Sequence, residues 1–154
     1  KAYWFFNDGM PFLVQNVDVI SDINYQEMLD IQSHSGSFAT LAVSARITSR
    51  YFLFDENMRL SGWENTKTNE VKIVNQNFAK LTRYAFSGIH VIDPEIFKYI
   101  QKEGKFSIVD TYLELAATHK ITGFVHNPEN WVDMGKPEEL VKAETILKNL
   151  QSVM

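Results

Sequence analysis

"PFLVQNVDVIS" (residues 11–21) carries a mainly apolar run, Phe12–Val17, interrupted only by Gln15-Asn16, and stops on a carboxylate, Asp18. A run without polar alternation predicts a strand covered on both faces, the kind found in parallel sheets. The residues that follow extend this. Asn24 and Glu27 have the spacing of a capping box, Tyr25, Met28 and Leu29 share a helical face, and Gly36 supplies a stop, so a helix is expected over 25–35. "FATLAVSAR" (38–46) is a second apolar segment directly after that helix. Segments 12–17, 25–35 and 38–46 together predict a β-α-β crossover, and the fold class is therefore α/β.

Outward from this unit the pattern changes and then returns. "RYFLFDENMRLSGWEN" places β-rich runs on either side of Asp55-Glu56-Asn57, and "TKTNEVKIV" adds another polar turn, which predicts a small antiparallel meander over about 50–75, flanking the sheet. "YAFSGIHVI" (84–92) predicts a buried strand, and Pro94 opens a short helix with Ile96, Phe97 and Ile100 on one side. Val109, Tyr112, Leu113 and Ala116 give helical spacing over 107–118. After short strands at "ITGFVHN" and "WVDM", Pro137 stands at a first helical position, and Leu140, Ala143, Ile146, Leu147 and Leu150 mark a closing helix. At the other end, "KAYWFFN" has the character of the last turns of a helix, before a turn at Asn7-Asp8-Gly9.

The composition narrows the function classes. A chain of 154 residues, 45% hydrophobic, has the size of one domain with its own core. Its formal charge of -4, without a basic block, gives no footprint for a nucleic-acid backbone, so no nucleic-acid partner is expected. No apolar stretch reaches the ~20 residues that cross a bilayer, and no membrane partner is expected. The absence of cysteine rules out disulfides and thiolate metal sites and fits a cytoplasmic location.

Two carboxylates stand out by position. In open α/β sheets ligands gather outside the carboxyl ends of the strands, and Asp18 follows such a strand directly. Taken alone, an Asp there is more often a turn or capping residue. Asp133 in "NWVDMGKPEEL" occupies a second strand-to-helix junction. Two carboxylates suit Mg²⁺, which takes one or two from protein and completes its octahedron with water and substrate phosphates. His34, His90, His119 and His126 show no ligand spacing, and no Gly-x-Ser-x-Gly elbow surrounds any serine.

These residues resemble a known family, the sugar-1-phosphate nucleotidyltransferases (NDP-sugar pyrophosphorylases). "FLVQNVDVISDIN" is similar to that family's strand ending in a metal-binding Asp, "FSGIHVIDPEIF" to its strand carrying a Gly beside the sugar, and "WVDMGKPEEL" to its element with the second metal-binding Asp. All three occur in the family's order, and "TSRYFLFDENMRLSGWEN" is closest to the mannose-1-phosphate guanylyltransferase-like branch. Val17 stands where the family more often has Gly, Lys136 where it more often has Thr, and the Gly-rich nucleotide loop has no counterpart.

The resemblance implies a partial Rossmann-like nucleotidyltransferase sheet with flanking helices, residues 1–154 forming the C-terminal half of a single nucleotidyltransferase domain. It implies nucleotidyl transfer from an NTP to a sugar 1-phosphate, giving an NDP-sugar and pyrophosphate, with the 154-residue piece inactive by itself. Asp18 and Asp133 would be catalytic and hold Mg²⁺, and Gly88, Asn16, Glu64 and Trp63 would contact substrate. For Gly88 a packing role, for Glu64 an exposed hairpin position and for Trp63 packing on the sheet are the competing descriptions. A half sheet would also expose an edge, so a homo-oligomer or domain exchange is expected. The alternatives are a nucleotide-sugar-dependent glycosyltransferase, which an Asp-x-Asp triplet absent here would favour, and a non-catalytic sugar-sensing or assembly module.

Overall fold

A computed structural model describes residues 3–6, 8–74, 80–135 and 139–151. The first strand, β1 (Phe12–Gln15), is shorter than expected and differs in kind: its burial alternates, and it pairs antiparallel with β7 (Thr82–Ile92). Phe12 and Val14 face the core, whereas Leu13 is partly exposed and Val17, beyond the strand, is fully exposed. The apolar run therefore does not mark a strand covered on both faces. Pairing ends where the Asn16 N–H donates to the Gly88 carbonyl at 2.9 Å. The chain then turns, the Val19 N–H bonding the Asn16 carbonyl at 3.1 Å, and enters a short second strand, β2 (Val19–Ser21).

Helix α1 (Tyr25–Ser35) forms as its caps dictate: the Asn24 side chain accepts from the Glu27 N–H, and Gly36 closes the helix at φ 63°. It delivers the chain to β3 (Ala39–Ser44), which is buried throughout and pairs antiparallel with β7 and parallel with β8 (Ile121–Val125). Both β1 and β3 pair with residues 89–92 of β7 or part of that stretch, on opposite edges. They are thus parallel to each other with β7 between them. The crossover exists, but it steps over an antiparallel strand.

Strands β4 (Arg50–Phe54), β5 (Leu60–Asn65) and β6 (Glu70–Ile73) form the expected meander. It extends the main sheet instead of flanking it, because β4 pairs with residues 82–84 of β7 and Phe52, Phe54 and Leu60 are buried in the common core. The result is a mixed seven-stranded sheet ordered β6-β5-β4-β7-β3-β8, with β1 on β7.

Alternation in β3 divides the core. Leu41 and Val43 join Phe52, Phe54 and Tyr112 on the face covered by α2 (Ile108–Ala116), and Ala42 joins Met28, Ile89 and Val91 on the face covered by α1. A separate two-stranded sheet pairs β2 with β9 (Trp131–Asp133), and α3 (Leu140–Gln151) packs on it through Ala143 and Ile146 against Val132. The Pro94 segment is a 3₁₀ turn capped by Asp93, and the N-terminal aromatic segment is a 3₁₀ turn over Tyr3–Phe6. The expected helix start at Pro137 lies outside the described residues.

Candidate functional site

The site is built at an irregularity of β7. Between Leu41 and Val43 the β3–β7 register jumps from His90 to Phe86, so the long strand carries extra residues there. Gly88, at φ +71°, absorbs them in a left-handed conformation that side-chain-bearing residues resist. A bulge leaves carbonyls in need of donors, and three different segments supply them. Arg46 Nη2 donates to the Phe86 carbonyl at 2.6 Å, Trp131 Nε1 to the Ser87 carbonyl at 2.7 Å, and the Asn16 N–H to the Gly88 carbonyl. The bulge thus draws together the end of β3, the end of β1 and β9.

Around it lies a cleft of about 350 Å³, lined by Asn16, Asp18 and Val19, by Arg46 and Thr48, by Phe86, Ser87 and Gly88, and by Trp131, Asp133 and Glu139. Two residues far apart in sequence, Asp18 and Asp133, line the same cavity. The cause is strand pairing: Val19 is opposite Asp133 in the β2–β9 ladder, and the Met134 N–H bonds the Asp18 carbonyl at 2.7 Å. Gly135 N–H donates to Asp133 Oδ1 at 2.9 Å, fixing one oxygen. Among the described residues the other Asp133 oxygen and both of Asp18 have no hydrogen-bond donor. Carboxylate oxygens left open toward a cleft fit a hard divalent cation such as Mg²⁺. Among the described residues no cluster of three or more His, Cys, Asp or Glu side chains is arranged to hold a metal, so a cation here would draw its remaining ligands from water and substrate.

Of the other residues singled out in the sequence, Asn16 and Gly88 line the cleft, and Glu64 and Trp63 do not. Glu64 faces Arg83, Nε to Oε1 2.9 Å, and Trp63 packs against the core with the Lys72 ammonium 5.3 Å above its ring. At Gly88 an added Cβ would lie 2.6 Å from Asn16 Nδ2, so the glycine makes room for the asparagine side chain.

Residues missed in the sequence complete the walls. Arg46 stacks its guanidinium 4.2 Å from the Trp131 ring centroid. Burial lowers its pKa, and the charge of Asp133 opposes that shift. Ser87 hydrogen-bonds His126 Nε2 at 2.7 Å, and the other ring nitrogen lies 2.9 Å from the Asn127 carbonyl, which fixes the tautomer with the proton on Nδ1. Burial holds His126 below the ordinary histidine range. Arg46 had a signal available: it comes two residues after the apolar strand β3, which is buried throughout.

The geometry matches a known architecture. Residues covering 86% of the chain are 25% identical, over 134 residues, to mannose-1-phosphate guanylyltransferase 1 of Arabidopsis thaliana. This chain is distantly similar in sequence to that guanylyltransferase. It spans about a third, 35%, of the length of that nucleotidyltransferase. Its fold matches a Bacillus anthracis protein assigned as a glucose-1-phosphate thymidylyltransferase, solved with sucrose, at TM-score 0.66 and 17% identity, over 94% of this chain and 57% of that one. It matches HddC from Yersinia pseudotuberculosis at TM-score 0.61 and 18% identity, over 92% and 57% of the two chains. A structure of HddC complexed with GMP-PN matches at TM-score 0.59 and 18% identity, over 91% and 56%. No protein-family model matches the chain. Among the described residues no helix is long and apolar enough to cross a membrane.

Proposed function

We propose that this chain supplies the metal- and sugar-phosphate-binding part of a sugar-1-phosphate nucleotidyltransferase acting in the cytoplasm. In the reaction a phosphate oxygen of the sugar 1-phosphate attacks the α-phosphorus of a nucleoside triphosphate, one P–O bond forms, the α–β P–O bond breaks, and pyrophosphate leaves. The observation that carries this reading is that β2–β9 pairing brings Asp18 and Asp133 into one cleft beside the Gly88 bulge. Asp18 and Asp133 would hold Mg²⁺, which when bound neutralises and orients phosphate oxygens. Asn16, braced against Gly88, lines the cleft as a sugar contact. No side chain needs to form a covalent bond to substrate, since positioning and charge neutralisation suffice for phosphoryl chemistry of this kind. The distant relation to a mannose-1-phosphate guanylyltransferase and the GMP-PN complex of HddC favour a guanine nucleotide and a hexose or related sugar.

The test begins with the metal. Mn²⁺ binding followed by electron paramagnetic resonance, with Mg²⁺ as competitor, is expected for the 154-residue chain and is expected to be lost in Asp18→Asn and in Asp133→Asn. Unchanged Mn²⁺ affinity in both variants would remove the metal assignment. The chain alone is expected to release no pyrophosphate from GTP and mannose 1-phosphate. Combined with the remaining length of a full nucleotidyltransferase it should turn over, and each Asn variant should then lose at least ~100-fold in rate.

A further inference from the structure

Arg46 is held firmly in place while few of its donors are met by the protein. It leaves the end of β3, whose residues Ala39–Ser44 are all buried, and turns its guanidinium onto the face of Trp131 at 4.2 Å. The indole is itself fixed through its Nε1–H bond to the Ser87 carbonyl, and Arg46 Nη2 is fixed on the neighbouring Phe86 carbonyl. The side chain has therefore surrendered its rotamer freedom to the protein, which lowers the ordering cost of any ligand that binds it.

Its charge, by contrast, is poorly answered. A guanidinium carries five N–H donors and stays protonated in proteins. Among the described residues the Phe86 carbonyl is its one hydrogen-bond acceptor, Nε is buried without a partner, and no carboxylate lies within ion-pair distance. A partly buried cation in that condition is costly unless something anionic completes it. Arg46 is also the one cationic side chain among the described residues lining the cleft, which it shares with the acids Asp18, Asp133 and Glu139. An anion that also carries a divalent cation is complementary to such a wall: the carboxylates take the cation and the planar donor edge takes the oxygens. Phosphate, with oxygens spaced for two parallel N–H donors, fits the guanidinium better than a single-oxygen acceptor does.

We propose that Arg46, held on the face of Trp131, is the residue that anchors the phosphoryl group of the sugar 1-phosphate in this cleft. The identity of the ligand rests on the function proposed above; the anion-binding role of Arg46 stands on its own geometry. Trp131 acts through Arg46, as a positioning residue.

The experiment titrates the 154-residue chain with inorganic phosphate, with mannose 1-phosphate and with free mannose, in the presence of Mg²⁺. Binding is followed by calorimetry and by the Arg Nε–Hε nuclear magnetic resonance signals, the Arg46 signal being the one missing in Arg46→Lys. Phosphate and mannose 1-phosphate should both move that signal. Arg46→Gln should weaken both ligands by about 10- to 100-fold, Arg46→Lys by less, and neither should change binding of mannose. Circular dichroism confirms that each variant is folded; should Arg46→Gln unfold, the wild-type signal and Arg46→Lys decide. An Arg46 signal indifferent to phosphate, or a folded variant that binds phosphate as the wild type does, overturns the proposal. If Arg46-dependent phosphate binding persists while Asp18→Asn and Asp133→Asn leave metal affinity unchanged, the metal reading fails and the Arg46 assignment survives.

Discussion

Replacing Gly88 by alanine tests how the cleft is held open. Two costs can be separated. The residue sits at φ +71°, and placing a Cβ in the left-handed region costs about 1–2 kcal/mol. The new Cβ would also lie 2.6 Å from Asn16 Nδ2, 2.9 Å from its Cγ and 3.3 Å from its Cβ, too close for the asparagine to stay. Asn16 is exposed, so its side chain can swing away at about 0.5–1 kcal/mol, but it must leave the cleft to do so. Urea unfolding of Gly88→Ala should accordingly show a loss of about 1.5–3 kcal/mol. In Asn16→Ala/Gly88→Ala the closest atoms are gone and only the 3.3 Å approach remains, so the backbone cost persists and most of the steric cost vanishes. The double-mutant cycle should therefore give a favourable coupling of about 0.5–1 kcal/mol. Additive effects, or a Gly88→Ala variant within about 0.3 kcal/mol of wild type, would refute the claim that bulge and asparagine are fitted to each other.

Stability should fall in mild acid because of His90, which lies in the core against Phe86 and hydrogen-bonds the Tyr112 hydroxyl at 2.6 Å. Burial lowers its pKa from 6.5 to about 4, so the unfolded chain takes up the proton first. The contribution is fully present above pH ~6.5 and declines as pH drops toward ~4, by about 2 kcal/mol at pH 5 and about 3 kcal/mol at pH 4. Urea midpoints measured across this range should flatten in His90→Phe, leaving a shallower slope from His126; an unchanged slope would exclude His90 as the cause. Trp131→Phe removes the donor to the Ser87 carbonyl and the preferred surface beneath Arg46, and should cost about 1–3 kcal/mol in unfolding experiments while weakening phosphate binding. Loss of stability with phosphate affinity intact would separate the indole from the anion site.

What the sequence revealed and what it concealed follow from the range of the interactions involved. The caps of α1 were legible because Asn24, Glu27 and Gly36 act within a few residues of one another. The carboxylates were legible for a different reason: the edge of a strand is a recognisable place even when its neighbours are unknown, and Asp133 closes β9 while Asp18 stands in the turn between β1 and β2. The antiparallel strand between β1 and β3 was not legible, because an apolar run reports burial and never which strand lies alongside, and β7 comes from far downstream. The same limit hid Arg46. As a residue it is an ordinary charge after a strand; its character comes from Trp131, which is brought to it by pairing of β2 with β9. That pairing also brings Asp133 to Asp18. One three-residue ladder thus assembles the acidic and the cationic walls of the cleft together, so a substitution that loosens it, even away from the cavity, would disturb both charges at once.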